Sequence, residues 1–378
     1  MPKLALLADP LDEGWHSMDL CAEMLAAHVA SPWSAEIHRP EGARVARRVP
    51  GLARDRRAAL VDRLLTRFVR APQAARRLAV RRLADRADAY HVVDHSYAHL
   101  VHRLPRARTG VYCHDLDAFR SVLDPERDRK PRWFRRLAGW QLSGLRLADV
   151  VFHNSLATRD ELLRHALVAE ERLVHAPLGV APEFTPQATA GDAPPEWLAS
   201  LDGAPYVLHV GSCIARKRID VLLDVVTGLT RRERDIRLLK IGGEWTPAQR
   251  DQLRRLAIES AVVHVSQATR SELAHAYRGA AAVLVPSESE GYGLPVIEAM
   301  ACGAPVVASD IAVLREVGGD GCLYAPVADT EAWIERTLAV LDGTPEVPGV
   351  KTRLAAAGRH SWRRHAEIIT GAYTRLLN

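Results

Sequence analysis

Residues 281–310 read AAVLVPSESEGYGLPVIEAMACGAPVVASD. The apolar run at 281–285 is typical of a buried β-strand, and it leads into a polar loop that carries two glycines, residues 287–293. Pro295 favours a helix start after this loop, because the fixed φ of proline is already helical. A second apolar run follows at 306–308, so the stretch predicts strand, loop, helix and strand in succession, which is the pattern of an α/β fold.

This order of elements is suited to anion binding, because the first N–H groups of a helix lack intrahelical partners and the helix dipole favours negative charge there. Gly291 and Gly293 let a ligand approach the backbone closely. Glu290 and Glu298 flank the loop, and two carboxylates beside a bare phosphate would repel it. They are explained if they accept hydrogen bonds from hydroxyl groups on either side of the phosphates. The alternative is a solvated loop acid and an ordinary glutamate of a first helical turn.

These residues resemble the signature of the retaining glycosyltransferases of family 4, and the matching positions are Glu290, Gly291, Tyr292, Gly293, Leu294, Pro295, Glu298, Ala299, Met300, Gly303, Pro305, Val306 and Val307. The resemblance implies that Glu290 lies beside the transferred sugar and that Glu298 binds the ribose. It implies that the distal phosphate is held by the backbone amides of Gly291, Tyr292, Gly293 and Leu294. It also implies contacts to the nucleobase from Val265 and Ser266.

A second strand, glycine turn and helix begin at residue 206, where an apolar run leads into GSCIARKRIDVLLDVV. Arg216 and Lys217 lie in this turn, where arginine can bind a diphosphate through two hydrogen bonds and lysine can bind it as a point charge. Family 4 members usually carry an arginine directly after the glycine. Ser212 occupies that position here, so the resemblance implies that Arg216 supplies the missing charge. A solvated turn is the alternative.

Strands of the first half also end in polar residues. An apolar run at 4–8 leads into a loop with a single glycine, Gly14, and a run at 90–93 leads into Asp94 and His95. Because the carboxyl ends of strands face the ligand crevice in open α/β sheets, we expect Asp94 and His95 to contact an acceptor or a phosphate. Family 4 members often carry a glycine pair in the loop after the first strand, so the resemblance implies a similar contact for Gly14. The next strand ends at His114, and the resemblance implies that this histidine points at the donor sugar. A hydrogen-bonded structural histidine is the alternative.

Neither a metal site nor a disulfide framework is predicted. The five cysteines are scattered without close pairs, and the histidines at 91, 95, 99 and 102 are more simply explained by a hydrogen-bonded face than by a metal. No uncharged apolar run is long enough to cross a membrane, and the N-terminal residues are typical of a first strand rather than a signal peptide. We therefore expect a cytoplasmic protein without a cofactor, in which the nucleotide sugar is a co-substrate.

The net charge of +5 is distributed unevenly: residues 1–185 hold 30 Lys and Arg against 23 Asp and Glu, whereas the remainder holds 21 against 23. An anionic partner of the first half is therefore expected. Residues 44–86 carry 14 arginines around an apolar helical stripe. Such a stretch can lie on an anionic membrane surface. A packed helix with solvated arginines is the alternative, and a nucleic-acid groove is disfavoured because no aromatics interleave the arginines.

The predicted architecture is α/β, with two Rossmann-like domains facing each other across a cleft, the B-type glycosyltransferase fold. The predicted boundaries are an acceptor-binding domain at 1–185, a linker at 186–205, a nucleotide-sugar-binding domain at 206–360 and a last helix, 361–378, that crosses back. The resemblance implies retaining, metal-independent transfer of a hexose, with GDP-mannose as the first guess, to a glycan or a lipid-linked sugar. A nucleotide-sugar epimerase or hydrolase of the same fold, and a non-catalytic scaffold, are the alternatives.

Overall fold

The computed structural model of the chain describes residues 1–43, 56–80, 86–188, 193–232 and 234–378. These residues form two compact units, each built around one parallel six-stranded sheet. The first unit comprises residues 1–179 and 362–378, and the second comprises residues 180–361. The predicted end of the first domain at 185 therefore lies inside the second unit.

The first sheet has the strand order β2-β1-β3-β4-β5-β6, and every neighbouring pair is parallel. Its inner strands are almost wholly buried, which explains why they are continuous apolar runs rather than alternating ones. The chain order reverses between β1 and β3, and ligands bind at such a switch point in open α/β sheets. The strands are β1 (Lys3–Leu7), β2 (Ser34–His38), β3 (Ala89–Val92), β4 (Thr109–Cys113), β5 (Val150–His153) and β6 (Leu173–His175).

The α-helices described ahead of the second unit are α1 (His16–His28), α2 (Arg56–Leu65), α3 (Ala71–Ala79), α4 (Arg120–Leu123), α5 (Arg132–Leu147) and α6 (Leu156–Arg164). A π-helical turn, Thr66–Arg70, joins α2 to α3 with helical backbone angles at both junctions, so the two form one continuous helix. A 3-10 helix, His95–Arg103, follows β3 and packs along α5. These helices and the sheet enclose an aliphatic and aromatic core.

The second sheet has the order β12-β11-β10-β7-β8-β9, again entirely parallel. In the order of the strands within this unit it is 6-5-4-1-2-3, the arrangement of a dinucleotide-binding fold, and its switch point lies between β7 and β10. The strands are β7 (Tyr206–Val210), β8 (Arg237–Ile241), β9 (Val262–Val265), β10 (Ala282–Val285), β11 (Val306–Ser309) and β12 (Leu323–Ala325).

The helices of the second unit are α7 (Ile219–Arg231), α8 (Pro247–Leu256), α9 (Arg270–Gly279), α10 (Leu294–Ala301), α11 (Ala312–Gly318), α12 (Thr330–Asp342) and α13 (Val350–Ala357). Capping boxes begin α8 and α9: Thr246 with Gln249, and Thr269 with Glu272, each satisfy N–H groups that a helix start leaves unpaired. The strand, loop, helix and strand expected at 281–310 are β10, its following loop, α10 and β11.

The last helix, α14 (Trp362–Leu377), belongs to the first unit although it follows the second in sequence. The Tyr373 hydroxyl donates to the Tyr90 carbonyl of β3 at 3.0 Å, and Trp33 donates from Nε1 to Thr374 Oγ1 at 3.0 Å. The spacing of Trp362, Ala366, Ile369, Tyr373 and Leu376 predicts a buried stripe on this helix. The first four are buried and Leu376 is half-buried.

Residues 180–185 are held by the second unit. Arg270 Nε lies 3.0 Å from Glu183 Oε1, and the rings of Phe184 and Tyr277 contact each other at a centroid distance of 5.8 Å. The predicted linker at 186–205 lies partly outside the described residues and includes a 3-10 helix, Glu196–Leu201. Within the described part of the chain, no helix is long and apolar enough to span a membrane, and all five cysteines are free and buried.

Candidate functional site

The switch point of the second sheet brings together the two loops that the sequence singled out. The loop after β7 carries Arg216 and Lys217, and the loop after β10 carries Glu290. Strands β7 and β10 are hydrogen-bonded neighbours in register, so the residues that follow their carboxyl ends meet although they are more than 70 positions apart in sequence. The backbone N–H of Glu288 also donates to the Arg216 carbonyl at 2.8 Å, which ties the two loops directly.

Glu290 is the centre of a charged cluster. Lys217 Nζ donates to its Oε1 at 2.5 Å, Arg216 Nη1 donates to its Oε2 at 3.2 Å, and the Ser287 hydroxyl donates to Oε1 at 2.7 Å. Arg216 Nη1 also donates to the Ser289 carbonyl at 2.8 Å. Two cations and one carboxylate leave a net positive charge at the carboxyl end of the sheet, which is what an anionic ligand requires.

The protonation state of Glu290 follows from its surroundings. Burial alone would raise the pKa of this carboxyl, but the ammonium of Lys217, the guanidinium of Arg216 and the Ser287 hydroxyl outweigh burial and lower the pKa below its usual value. Glu290 is therefore ionised at neutral pH. It fixes the orientation of both cations, because a charge-assisted hydrogen bond constrains each of them.

Lys240, which is fully buried in β8, stabilises the turn after β7. Its Nζ donates to the Gly211 carbonyl at 2.7 Å and lies 5.7 Å from the centre of the Trp245 ring. Burial lowers the pKa of this lysine. Sequence analysis missed Lys240, since a lysine within an apolar strand carries no motif, and the contact to Gly211 spans two strands of the sheet.

The helix that follows the Glu290 loop begins in the predicted way. Gly293 precedes α10 with φ +112°, a backbone conformation that requires glycine. The Tyr292 side chain is buried and donates from its hydroxyl to His360 Nδ1 at 2.6 Å, while His360 Nε2 donates to the Val317 carbonyl. Tyr292 thus anchors the loop with its side chain, and any ligand contact falls to the loop backbone up to Leu294.

Glu298 lies on α10 and is buried. The Tyr277 hydroxyl of α9 donates to its Oε2 at 3.0 Å. Burial raises the pKa of Glu298 to about 7, the Tyr277 hydrogen bond opposes this, and the charge of Glu183 adds to it. Neither Tyr277 nor Glu183 was predicted, because each is distant in sequence and neither belongs to a motif; Tyr277 is visible in sequence only as an apolar position of α9.

The two residues proposed for the nucleobase lie at the end of β9. The Val265 carbonyl accepts a hydrogen bond from the Gly242 N–H at 2.8 Å, whereas Ser266 is exposed. The structure therefore leaves Ser266 the more accessible of the pair, and their roles remain predictions.

Asp94, His95 and His114 meet at the carboxyl ends of the neighbouring strands β3 and β4, beside the switch point of the first sheet. The His114 N–H donates to His95 Nδ1 at 3.2 Å, and His95 Nδ1 lies 3.3 Å from Asp94 Oδ1. His114 Nε2 donates to the Val93 carbonyl at 2.9 Å, which leaves its Nδ1 as a hydrogen-bond acceptor. Burial first, and then the neighbouring His95, lower the pKa of His114 to about 4, so this ring is neutral at pH 7.

Asp9, directly after β1, adds a second carboxyl to this cluster, and sequence analysis missed it. It is buried, and its carboxyl oxygens have no hydrogen-bond partner within 3.5 Å among the described residues. Burial and the charge of Asp94 raise the pKa of Asp9. Burial also opposes ionisation of Asp94, but His95 and the Ser96 N–H and hydroxyl outweigh it, so the pKa of Asp94 is lowered.

Gly14 ends a short 3-10 helix, Leu11–Glu13, with φ +72°. This conformation explains the glycine without any ligand, and its role as an acceptor or phosphate contact remains a prediction. The neighbouring Glu13 is held by Arg67 Nη2 at 2.5 Å and by the Tyr97 hydroxyl at 2.8 Å. Within the described ranges, no three His, Cys, Asp or Glu side chains converge as a metal site would require.

Both halves of the chain match models of glycosyltransferase families. Residues 16–184 match the model described as Glycosyltransferase Family 4, and residues 204–343 match the model described as Glycosyl transferases group 1.

Similar curated proteins include O-antigen chain mannosyltransferase B of Escherichia coli, which is 30% identical over 280 residues that make up 73% of this chain and 72% of the relative. The serotype-specific mannosyltransferase WbdA of Escherichia coli is 26% identical over 82% of this chain. A D-inositol 3-phosphate glycosyltransferase of Saccharomonospora viridis is 35% identical over 42% of this chain. The matched region spans 39% of each of the last two relatives.

Solved structures share the fold over the whole chain. Sucrose-phosphate synthase from Thermosynechococcus elongatus has a TM-score of 0.73 at 18% identity, covering 100% of this chain and 99% of that one. HepE from Anabaena, solved in complex with UDP-glucose, has a TM-score of 0.71 at 15% identity, covering 99% of this chain and 100% of that one. The fold prediction is thus confirmed, and with the family matches it leads to one conclusion: the chain is a glycosyltransferase that belongs to family 4 and has the B-type fold of two Rossmann-like domains.

Proposed function

We propose that this glycosyltransferase transfers a hexose from a nucleoside diphosphate sugar to a glycan or a lipid-linked sugar, with retention of configuration and without a metal. The observation that carries the proposal is the cluster of Arg216, Lys217 and Glu290 at the switch point of the second sheet. Two cations oriented by one buried carboxylate favour a diphosphate, and the carboxylate is a ready acceptor for a sugar hydroxyl.

The proposed chemistry uses these residues for charge stabilisation. The bond between the anomeric carbon and the phosphate oxygen breaks, and its electron pair stays on the leaving diphosphate. Lys217, Arg216 and the amides at 291–294 stabilise that charge as a preorganised set of donors. The acceptor hydroxyl attacks the same face of the sugar and passes its proton to the leaving phosphate. No protein nucleophile is required in this scheme.

The remaining site residues have binding roles in the proposal. Glu298, oriented by Tyr277, accepts hydrogen bonds from the ribose hydroxyls. His114, neutral and with Nδ1 as an acceptor, binds a sugar hydroxyl. Asp94, His95 and the Gly14 loop bind the acceptor, and Val265 and Ser266 bind the nucleobase.

GDP-mannose is the first donor to test, since two of the similar proteins are mannosyltransferases. A nucleotide-sugar epimerase or hydrolase remains the alternative reaction on the same fold. A non-catalytic scaffold is disfavoured by the intact ion-paired cluster, because a protein without donor binding has no use for two cations fixed against a buried glutamate.

The test is incubation with GDP-mannose, UDP-glucose and related donors, with and without a crude glycan or lipid-linked acceptor and with and without a chelator. The proposal expects a glycosylated product whose anomeric configuration, read by NMR, matches that of the donor, at an unchanged rate with chelator. Acceptor-independent release of free sugar at full rate supports a hydrolase, epimerised donor supports an epimerase, and absence of donor binding supports a scaffold.

A further inference from the structure

The loop after β1 carries an exposed tryptophan to which the proposed function gives no role. Trp15 is 53% exposed and directly precedes α1, where its carbonyl accepts hydrogen bonds from the N–H groups of Met18 and Asp19. A single exposed apolar side chain needs no explanation by itself. Trp15 differs from such a residue because a buried carboxylate fixes the orientation of its ring.

That carboxylate belongs to Glu13, whose side chain is 4% exposed. Trp15 Nε1 donates to Glu13 Oε2 at 3.1 Å, and Arg67 Nη2 donates to the same oxygen at 2.5 Å. The Tyr97 hydroxyl donates to Glu13 Oε1 at 2.8 Å. The polar edge of the indole is therefore used within the protein, so the ring offers its apolar face to a ligand.

The contacts of Glu13 continue to the residues proposed to bind the acceptor. The Tyr97 N–H donates to the Asp94 carbonyl at 2.9 Å, so Trp15, Glu13, Tyr97 and Asp94 form one continuous series of hydrogen bonds. A carbon atom added at Gly14 would meet no heavy atom of the described residues within 4 Å beyond its chain neighbours. The surface beside Trp15 is thus open, and it adjoins the proposed acceptor site.

The charge of this region limits the kind of ligand. Residues 4–38 contain no Lys or Arg and six acids, which are Asp9, Asp12, Glu13, Asp19, Glu23 and Glu36. The two arginines that reach this region are already paired, Arg67 with Glu13 and Arg39 with Asp19. A phosphate here would therefore meet an excess of negative charge, which disfavours its binding.

We propose that the Trp15 indole stacks on an uncharged pyranose ring of the acceptor glycan. The C–H groups on a face of the pyranose pack against the electron-rich face of the indole, and the hydroxyl groups at its rim remain free to bond with polar side chains. The proposal rests on the proposed function and specifies its acceptor as a neutral sugar rather than a phosphate-bearing polyol. Trp15 is then a residue that determines acceptor specificity.

The test is titration of the full chain, followed by saturation-transfer NMR, with the methyl α-glycosides of mannose, glucose and galactose and with the corresponding sugar 6-phosphates. Each titration is made without nucleotide and with GDP. We expect at least one neutral glycoside to bind, and its 6-phosphate to bind about tenfold more weakly or worse, because the phosphate meets the acids of this loop.

Two variants of Trp15 separate stacking from folding. Trp15→Ala should weaken binding of the neutral glycoside about tenfold, because it removes the aromatic face. Trp15→Phe should restore binding to within about threefold of the unaltered chain, because it retains an aromatic face without the Nε1 donor. Thermal midpoints verify that both variants are folded.

Trp133 provides the matched control. It lies on α5 of the same unit and is 54% exposed, so Trp133→Ala removes the same side chain from an equally exposed position. This variant should bind the glycoside as the unaltered chain does.

Several results would overturn the proposal: unchanged binding by Trp15→Ala, equal losses in Trp15→Ala and Trp133→Ala, or a 6-phosphate that binds more tightly than its neutral glycoside. Failure of every neutral glycoside to bind, while GDP-mannose still binds in calorimetry, would also overturn it and leave donor binding standing. A dimer in sedimentation velocity that Trp15→Ala dissociates would assign the side chain to a second copy. Failure of all donors to bind would instead count against the proposed function.

Discussion

The two switch points of this glycosyltransferase share the same parallel-sheet geometry, but their side chains differ in charge and protonation. In the second unit, Lys217 and Arg216 are paired with an ionised Glu290 and the site carries net positive charge. In the first unit, His114 is held neutral, Asp9 is biased towards its protonated form and Asp94 towards its ionised form. Burial favours the neutral form of Glu290, His114, Asp9 and Asp94 alike, so the difference comes from the partners that each loop supplies.

The comparison indicates which ligand suits which unit. A diphosphate needs oriented cations and backbone donors, and the second switch point has both. A hydroxylated ligand without charge needs buried donors and acceptors, and the first unit provides a neutral His114 and an Asp9 biased towards its protonated form. Variants at both switch points test this contrast.

Glu290→Gln should reduce transfer about 100-fold or more. It retains the shape of the side chain but removes the charge that orients Lys217 and Arg216. The leaving diphosphate is then less well stabilised in the transition state. Steady-state kinetics with the active donor measure the effect. A transfer rate within threefold of the unaltered enzyme would remove Glu290 from the reaction.

Lys217→Ala should weaken donor binding about 10- to 100-fold, the usual range for a hydrogen bond to a charged group. Lys351→Ala, an exposed lysine of α13 in the same unit, is the matched control and should leave the affinity unchanged. Isothermal calorimetry with the nucleoside diphosphate sugar gives both values. Equal affinities for the two variants would contradict the assigned role.

A pair of variants in the first unit tests the protonation states there. Asp94→Asn should lower the free energy of unfolding at pH 7 by about 1–3 kcal/mol, because the ionised form is held by His95 and Ser96. Asp9→Asn should leave it unchanged or raise it. The folded-state pKa of Asp9 lies above its unfolded value, so ionisation at pH 7 costs stability that the neutral amide does not.

Urea denaturation at pH 7 and at about pH 4 measures both variants. The gain expected for Asp9→Asn should be much smaller at the lower pH, which lies near the unfolded-state pKa of aspartate, about 3.9. A destabilisation by Asp9→Asn equal to that of Asp94→Asn would mean that the two carboxyls are equivalent.

The smallest effect concerns Glu298. Its pKa of about 7 means that the carboxyl is protonated below that pH and ionised above it. An ionised carboxylate accepts ribose hydrogen bonds more strongly, so donor affinity should rise several-fold between pH 6 and pH 8. In Glu298→Gln the affinity should be weaker and independent of pH across that interval. A pH dependence retained in the variant would assign the titration to another group.

Much of this site was predictable because its chemistry lies in local motifs. The loop around Glu290, the turn with Arg216 and Lys217, and the start of α10 follow from glycine, proline and charge patterns a few residues long. Tyr277, Glu183, Lys240 and Asp9 were not predictable, because each acts through a contact between distant elements. Arg216 and Lys217 were predicted as phosphate ligands, but their pairing with Glu290 was not, since it depends on two strands being neighbours.

In the fold, too, local patterns were predictable and contacts between distant elements were not. The strand and helix pattern predicted two α/β domains, yet the first unit ends at Gly179 because Glu183 and Phe184 pack against α9. The stripe from Leu60 to Val69 predicted an amphipathic helix, but periodicity alone does not say which face is buried. Asp62 and Thr66 are buried, whereas Leu60, Val61 and Val69 lie on the exposed side of this helix. Residues 44–55 and 81–85 of the predicted arginine segment lie outside the described residues.

The most direct test of the central claim is a crystal structure of the chain with GDP-mannose, or with whichever donor of the panel binds. We expect the diphosphate to lie between the carboxyl ends of β7 and β10, with phosphate oxygens within hydrogen-bond distance of Lys217 and of the amides at 291–294, and with the ribose at Glu298. A nucleotide whose diphosphate lies at the Asp9 and Asp94 end of the first sheet would contradict it.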